Sequence, residues 1–235
     1  MKRFSFPAAL PIVACLAAPA ALAHDLWLEK AGAHYTLYQG HRYSQHAGAE
    51  TLDYGPHFVT AAACFDARGE KRPLKMHSAS PWRASGDCAA LRLEASSGYW
   101  SKTPWETKNV PKSAAPGAIK SWLAKEGITR LERWSAAFAR PLTEGLELVP
   151  AQEPFAVKPG EKLVVQVFLA GKPQAGVPVA YHGETRGVTD AQGKIALRLR
   201  QAGVQLISVS LERPLSDGQA DVEMLSATLQ FELPQ

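Results

Sequence analysis

The feature that most constrains the fold is a series of short apolar runs between residues 145 and 235. Each run is four to ten residues long, and turn sequences rich in glycine, proline and aspartate separate the runs, as at 158–161 and 189–194. Runs of this length between such turns are typical of strands rather than helices. Their number and spacing predict an immunoglobulin-like β-sandwich over residues 143–235.

The first half of the chain also carries β patterns. Apolar and polar side chains alternate over residues 25–39 and 88–95, and a further β run covers 57–66. Residues 40–56 are polar, contain glycine and follow no period, which indicates a loop. We therefore expect an N-terminal β domain over residues 24–112.

A different spacing separates these two β regions. Apolar residues recur at roughly helical intervals over 117–137, and Gly127 interrupts the pattern. This spacing predicts two short helices that form a connector over residues 113–142. The expected fold is mainly β: an N-terminal β domain, a short helical connector and a C-terminal immunoglobulin-like β-sandwich.

The start of the chain has the pattern of a secretory signal. Lys2 and Arg3 precede an apolar stretch that ends in the A-x-A sequence at 21–23, so residues 1–23 are predicted to be a signal peptide and the mature protein to be periplasmic. Cleavage after Ala23 makes His24 the first residue. A competing interpretation is lipidation at Cys15, since 12–15 resembles a lipobox; it would leave His24 inside the chain.

Composition and cysteine content limit the function classes. Loss of the signal lowers the net charge from +4 to about +2, too little to predict a nucleic-acid partner. No later stretch has the ~18 apolar residues of a membrane span. Cys64 and Cys88 remain as an even pair, and in an oxidising compartment they are expected to form a disulfide worth about 3 kcal/mol.

Histidines cluster near the predicted mature N-terminus. Five of the seven lie between positions 24 and 57. An N-terminal histidine offers its α-amine and a ring nitrogen to one ion, and imidazole suits Ni²⁺, Co²⁺, Cu²⁺ and Zn²⁺. The candidate ligands are His24, His41, His46 and His57.

Other residues near these histidines are expected to orient a ligand ring or to lie beside the ion. Asp25 and Glu29 are candidates for holding an imidazole, as acidic partners of ligating histidines commonly do. His34 is expected to have a structural or supporting role, and Tyr43 could cover the site. His77 and His182 are expected to be surface or packing residues.

Several motifs together resemble an exported bacterial family classed as a domain of unknown function. The motifs lie at 24–29, 38–46, 98–104, 146–150 and 189–193, and they span nearly the whole mature chain. This family includes the periplasmic component of energy-coupling-factor nickel/cobalt transporters, which the histidine-rich N-terminal half resembles more specifically. The resemblance implies a non-enzymatic protein that binds Ni²⁺ or Co²⁺, with Cu²⁺ also possible, and delivers it to a membrane permease.

Two other functions remain open at this point. A terminal histidine together with another histidine also resembles the copper brace of oxidative polysaccharide-cleaving enzymes. Exposed aromatic residues at 99–105 would instead suit a carbohydrate-binding or adhesion module, although packing against the connector is the preferred interpretation. Hydrolytic signatures such as G-x-S-x-G are absent.

Overall fold

The computed structural model describes residues 25–43, 51–77 and 79–234. Most of these residues are extended, and the helical parts are three short 3₁₀ turns at Lys112–Ala114, Ala136–Ala139 and Pro154–Ala156. The strands in chain order are β1 (Asp25–Ala31), β2 (His34–Gly40), β3 (Thr51–Leu52), β4 (Val59–Phe65), β5 (Lys71–Arg72), β6 (Lys75–His77), β7 (Arg83–Ser85), β8 (Ala90–Lys102), β9 (Thr107–Lys108), β10 (Lys120–Leu131), β11 (Glu147–Pro150), β12 (Lys162–Leu169), β13 (Lys172–Pro173), β14 (Pro178–Tyr181), β15 (Glu184–Val188), β16 (Lys194–Arg198), β17 (Gly203–Pro214) and β18 (Val222–Leu233).

The strands form three sheets. Sheet A has the order β1-β2-β7-β6, with β3 beside β2. Sheet B has the order β15-β14-β17-β18-β10-β8-β4-β5, with β9 beside β8. Sheet C contains β11-β12-β13, and β16 also pairs with β12. Sheet B combines strands from both halves of the chain, so it runs across the boundary expected near residue 143.

Two separate apolar cores cover parts of the long sheet B. The first contains Leu28 and Leu37 of sheet A together with Leu93 and Ile128 of sheet B. The second contains apolar residues of sheet C and of the C-terminal strands of sheet B, for example Val165, Val167, Ile207, Leu229 and Phe231. Packing against sheet C makes the C-terminal part a β-sandwich. The prediction of a mainly β fold is confirmed.

Side chains of sheet B hold the edge strand of sheet A. The Gln230 amide accepts a hydrogen bond from the Leu28 backbone N–H at 2.8 Å and donates one to the Leu28 carbonyl at 2.7 Å. The Arg130 guanidinium donates to the same carbonyl at 2.8 Å. An edge strand otherwise leaves such groups unpaired, so these bonds fix β1 against sheet B.

The prediction of a helical connector is wrong. Residues 120–131 form the strand β10, which pairs antiparallel with β8 and parallel with β18. Sheets A and C cover opposite faces of this region, so 127–131 are all buried. A strand buried on both faces does not alternate apolar and polar residues, and its pattern can resemble helical spacing.

The expected disulfide is confirmed. Cys64 of β4 and Cys88, which precedes β8, are bonded and buried, with Cα atoms 5.2 Å apart. Of the aromatic residues at 99–105, Tyr99 and Trp100 belong to β8. None of the helices in the described part of the chain is long or apolar enough to cross a membrane.

Candidate functional site

The hairpin of β1 and β2 defines the region of the expected metal site. A two-residue turn at Gly32 and Ala33 joins the strands, and Gly32 has a φ of +60° that favours glycine. The resulting register sets Asp25 opposite Gly40. The candidate ligands His24 and His46 lie outside the described residues.

Asp25 and His41 interact at the open end of this hairpin. Burial raises the pKa of Asp25 above its ordinary value, and the charge of His41 acts in the opposite direction. Asp25 lies opposite Gly40, and His41 is the next residue along the chain. One of the expected supporting carboxylates therefore lies at the same end of the hairpin as one of the expected ligands.

Glu29 of β1 and Arg42, which follows β2, form an ion pair. The Arg42 guanidinium donates to Glu29 Oε1 at 3.1 Å, and the Trp27 indole N–H donates to the same oxygen at 3.4 Å. Arg42 also lies 5.6 Å from the Trp27 ring centroid. Glu29 is thus engaged by Arg42 and Trp27.

Tyr43 contacts the C-terminal sandwich. Its ring stacks on His182 with a centroid distance of 4.0 Å, and Tyr181 stacks on His182 at 4.0 Å. The Tyr43 hydroxyl donates to the Val204 carbonyl at 3.1 Å. Burial lowers the pKa of His182 to about 4, so this imidazole is neutral at neutral pH. His182 therefore packs between two tyrosines and connects the loop after β2 to the C-terminal strands.

His34 and His57 occupy two other places. His34 lies at the start of β2, seven residues and roughly 23 Å from His41 along an extended strand, and its Nδ1 is 2.8 Å from Ser85 Oγ. This placement separates His34 from His41. His57 is exposed in the turn before β4 and lines a cavity that Gln39 also lines. No group of three or more His, Cys, Asp or Glu side chains within 25–43, 51–77 and 79–234 is arranged to hold a metal ion.

This cavity, of about 850 Å³, contains a residue that the sequence analysis did not single out. Glu126 of β10 accepts a hydrogen bond from the Gln39 amide at Oε1, with a distance of 3.2 Å. Its Oε2 is buried and has no hydrogen-bond partner among the residues that the structure describes. Burial raises the pKa of Glu126 to about 7. A buried carboxyl group of this kind in a cavity is typical of functional sites.

Two tryptophans form one end of the same cavity. Trp100 of β8 and Trp122 of β10 are paired across the strands, with ring centroids 6.4 Å apart and planes 10° apart. Of the other aromatic residues in the segment, Trp105 is 86% exposed and Tyr99 donates its hydroxyl proton to Asp217. Packing against a helical connector does not occur, because that segment is a strand.

The raised pKa of Glu126 predicts a pH-dependent stability. In the unfolded chain this carboxyl group ionises near its ordinary value of 4.5, whereas in the folded protein it keeps its proton up to about 7. This stabilisation is fully present below pH 4.5 and is lost as the pH rises from 4.5 through 7, by roughly 3 kcal/mol. We expect the Glu126→Gln variant to lack this pH-dependent loss of stability. Urea unfolding of both proteins from pH 4.5 to 8 measures the difference.

The comparison with Glu126→Gln isolates one group among several that titrate. The other titratable side chains of the cavity are present in both proteins: Asp53, Tyr54, His57 and Lys125. Their contributions cancel in the difference between the two stability curves. Parallel curves would show that Glu126 ionises normally in the folded protein.

Comparison with known proteins supplies the family. Searches of curated proteins and of solved structures each found no significant match. The family model described as "Domain of unknown function (DUF4198)" matches residues 21–213, which include the β1–β2 hairpin, most of the Glu126 cavity and most of the C-terminal sandwich. The chain therefore belongs to this family of unknown function, DUF4198.

Proposed function

We propose that this chain is a periplasmic metal-binding protein that captures Ni²⁺ or Co²⁺ at its mature N-terminus and delivers the ion to a membrane permease. The observation that carries the proposal is the register of β1 and β2, which sets Asp25 opposite Gly40. In the sequence, His24 directly precedes Asp25, and His41 directly follows Gly40. Consecutive Cα atoms are only 3.8 Å apart, so both histidines are covalently attached at the same end of one hairpin.

The chemistry of these groups suits a late divalent metal. A free α-amine has an ordinary pKa near 8 and loses its proton readily to such an ion. Two imidazoles and the amine supply three nitrogen ligands, and the Asp25 carboxylate, whose charge already interacts with His41, is available to orient a ring. The resemblance of the N-terminal motifs to the nickel/cobalt branch of the family supports the choice of metals and of a permease as partner.

The decisive experiment is calorimetric titration of Ni²⁺, Co²⁺ and Cu²⁺ into protein that begins at His24. A matched protein carries one extra residue before His24, which turns the His24 amine into an amide nitrogen but keeps every side chain. We expect one tight site in the first protein and at least 100-fold weaker binding in the second. Equal affinity of the two proteins, or no binding to either, would reject the terminal chelate.

Two histidine variants test the ligand assignment. We expect His41→Gln to weaken Ni²⁺ binding at least tenfold, because it removes one nitrogen ligand from the hairpin end. His34→Gln is the matched control, since His34 lies at the other end of β2 and contacts Ser85. A similar loss in both variants would argue for nonspecific binding to surface histidines. A carrier also predicts no peroxide-dependent cleavage of polysaccharide when Cu²⁺ is bound.

A further inference from the structure

The cavity that contains Glu126 is acidic, and the described residues that line it include no unpaired ammonium or guanidinium group. Its carboxylates among the described lining residues are Asp53 and Glu126. The one ammonium group in that lining belongs to Lys125, and its Nζ is 2.6 Å from Glu223 Oε1. Lys125 is thus paired elsewhere, and among the described residues the Gln39 amide is the one hydrogen-bond donor to Glu126.

The residues beside this carboxyl group on the sheet have small side chains. Glu126 is flanked across the strands by the small residues Ala95 and Ser226. Ala124 and Gly98 form the next cross-strand pair, and Trp122 and Trp100 form the one after it. The floor therefore presents an acid at one end, small residues in the middle and two indole rings at the other end.

We propose that this cavity binds a primary organic amine with a planar apolar body, its ammonium group on Glu126 Oε2 and its body on Trp100 and Trp122. An ammonium ion supplies the hydrogen-bond donor and the positive charge that the buried carboxylate lacks. Indole faces attract apolar rings and cations alike. The same acidic lining disfavours an anionic ligand. The site lies outside the set of nitrogen ligands proposed for the metal, apart from His57 at its rim.

The length of the floor limits the size of the ligand. Trp122 and Glu126 are four residues apart on one strand, a span of roughly 13 Å between Cα atoms. Both side chains cover part of this span, so an amine separated from a planar ring by two or three bonds reaches both. A cavity of about 850 Å³ accommodates such a molecule.

Tryptamine is a suitable probe, and tryptophol is its uncharged counterpart with a hydroxyl group in place of the ammonium. Both are titrated by calorimetry into the mature protein with a chelator present, so that a bound metal ion plays no part. We expect tryptamine to bind at least tenfold more tightly than tryptophol at pH 8. Its affinity should fall below pH 7, where Glu126 gains a proton while the amine stays charged.

Variants assign the two ends of the ligand. We expect Glu126→Gln to reduce tryptamine affinity to that of tryptophol, and Trp100→Leu to weaken both ligands. Trp105→Leu is the matched control, because Trp105 is 86% exposed and does not line the cavity. Urea unfolding of each variant verifies that it is folded before binding is compared.

Several results would overturn the proposal. These are equal affinity for tryptamine and tryptophol, undiminished tryptamine binding by Glu126→Gln, and no tryptamine binding up to about 10 mM. Binding of an uncharged methyl glucoside that depends on Trp100, without discrimination between the two indoles, would replace the amine with a carbohydrate ligand. None of these results bears on the terminal metal chelate, which is tested without either probe.

Discussion

Glu147→Ala is expected to lower the free energy of unfolding by about 3–5 kcal/mol, because it leaves the Arg92 guanidinium buried without its main counter-charge. Both side chains are almost fully buried between sheets B and C, and Arg92 Nε lies 3.9 Å from Glu147 Oε1. Burial lowers the pKa of Arg92, and the charges of Glu147 and Glu94 oppose that effect. Glu147 is the buried one of these two acids.

The same carboxylate also holds the loop before β11. It accepts hydrogen bonds from the backbone N–H of Leu142 at 3.0 Å and of Thr143 at 2.7 Å, and from the Thr143 hydroxyl at 2.6 Å. These donors remain if the guanidinium is removed, so Arg92→Met should cost less than Glu147→Ala. Arg92 keeps two longer hydrogen bonds when Glu147 is lost, to Thr129 Oγ1 at 3.4 Å and to the Leu146 carbonyl at 3.2 Å. The asymmetry follows because Glu147 retains the shorter and more numerous set.

Urea unfolding at neutral pH measures both variants. Glu144→Ala is the matched control, since it makes the same substitution at an exposed position of the same loop and should change stability by no more than about 0.5 kcal/mol. A loss below 1 kcal/mol for Glu147→Ala would show that water reaches Arg92 and replaces the carboxylate. If Arg92→Met is more destabilising than Glu147→Ala, the packing of the Arg92 side chain contributes more to stability than its charge interaction with Glu147.

The C-terminal strands could be predicted because their signals are local. In the turn before β16, the Asp190 carboxylate accepts hydrogen bonds from the backbone N–H groups of Gln192 and Lys194, and Gly193 has a φ of +72°. Aspartate and glycine at these positions are direct signs of a turn. Gly32, in the turn between β1 and β2, is a local sign of the same kind.

The central strand β10 could not be predicted, because its environment comes from distant segments. Its neighbours β8 and β18 pair with it across large sequence separations, and sheets A and C cover its two faces. Gly127, which the sequence suggested as a break between helices, lies against Arg92: a Cβ there would be 2.5 Å from the guanidinium. The glycine is needed to accommodate that side chain.

Glu126 was missed for a related reason. A glutamate between Lys125 and Gly127 carries no local sign of burial, and charged residues are mostly exposed. Its environment depends on Gln39 of sheet A, which lies 87 residues away in sequence. Such a site is found only when the sheets are assembled, whereas the histidine cluster is visible in the sequence because its members are close along the chain.

The double variant Cys64→Ala/Cys88→Ala is expected to lose about 3–4 kcal/mol of stability. The disulfide closes a loop with a sequence separation of 24, and its loss lets the unfolded chain expand, which gives an energy of this size. The bond also joins β4 of sheet B to the segment that leaves sheet A after β7, so it ties the two layers at the apolar core they share. We expect a larger urea m-value as well as an earlier midpoint, since more surface is exposed on unfolding.

The double alanine variant removes the covalent bond without leaving free thiols that could react. Cys64 and Cys88 are the two cysteines left after the predicted signal, so the double variant contains no thiol that can form another bond. Wild-type protein reduced in urea and alkylated provides the second comparison, and both proteins should refold less stably than the oxidised form. Because both sulfurs are buried, the native protein should also resist reductant until it unfolds. If oxidised wild type and the double variant unfold at the same urea concentration, the pairing of sheets A and B is sufficient without the bond.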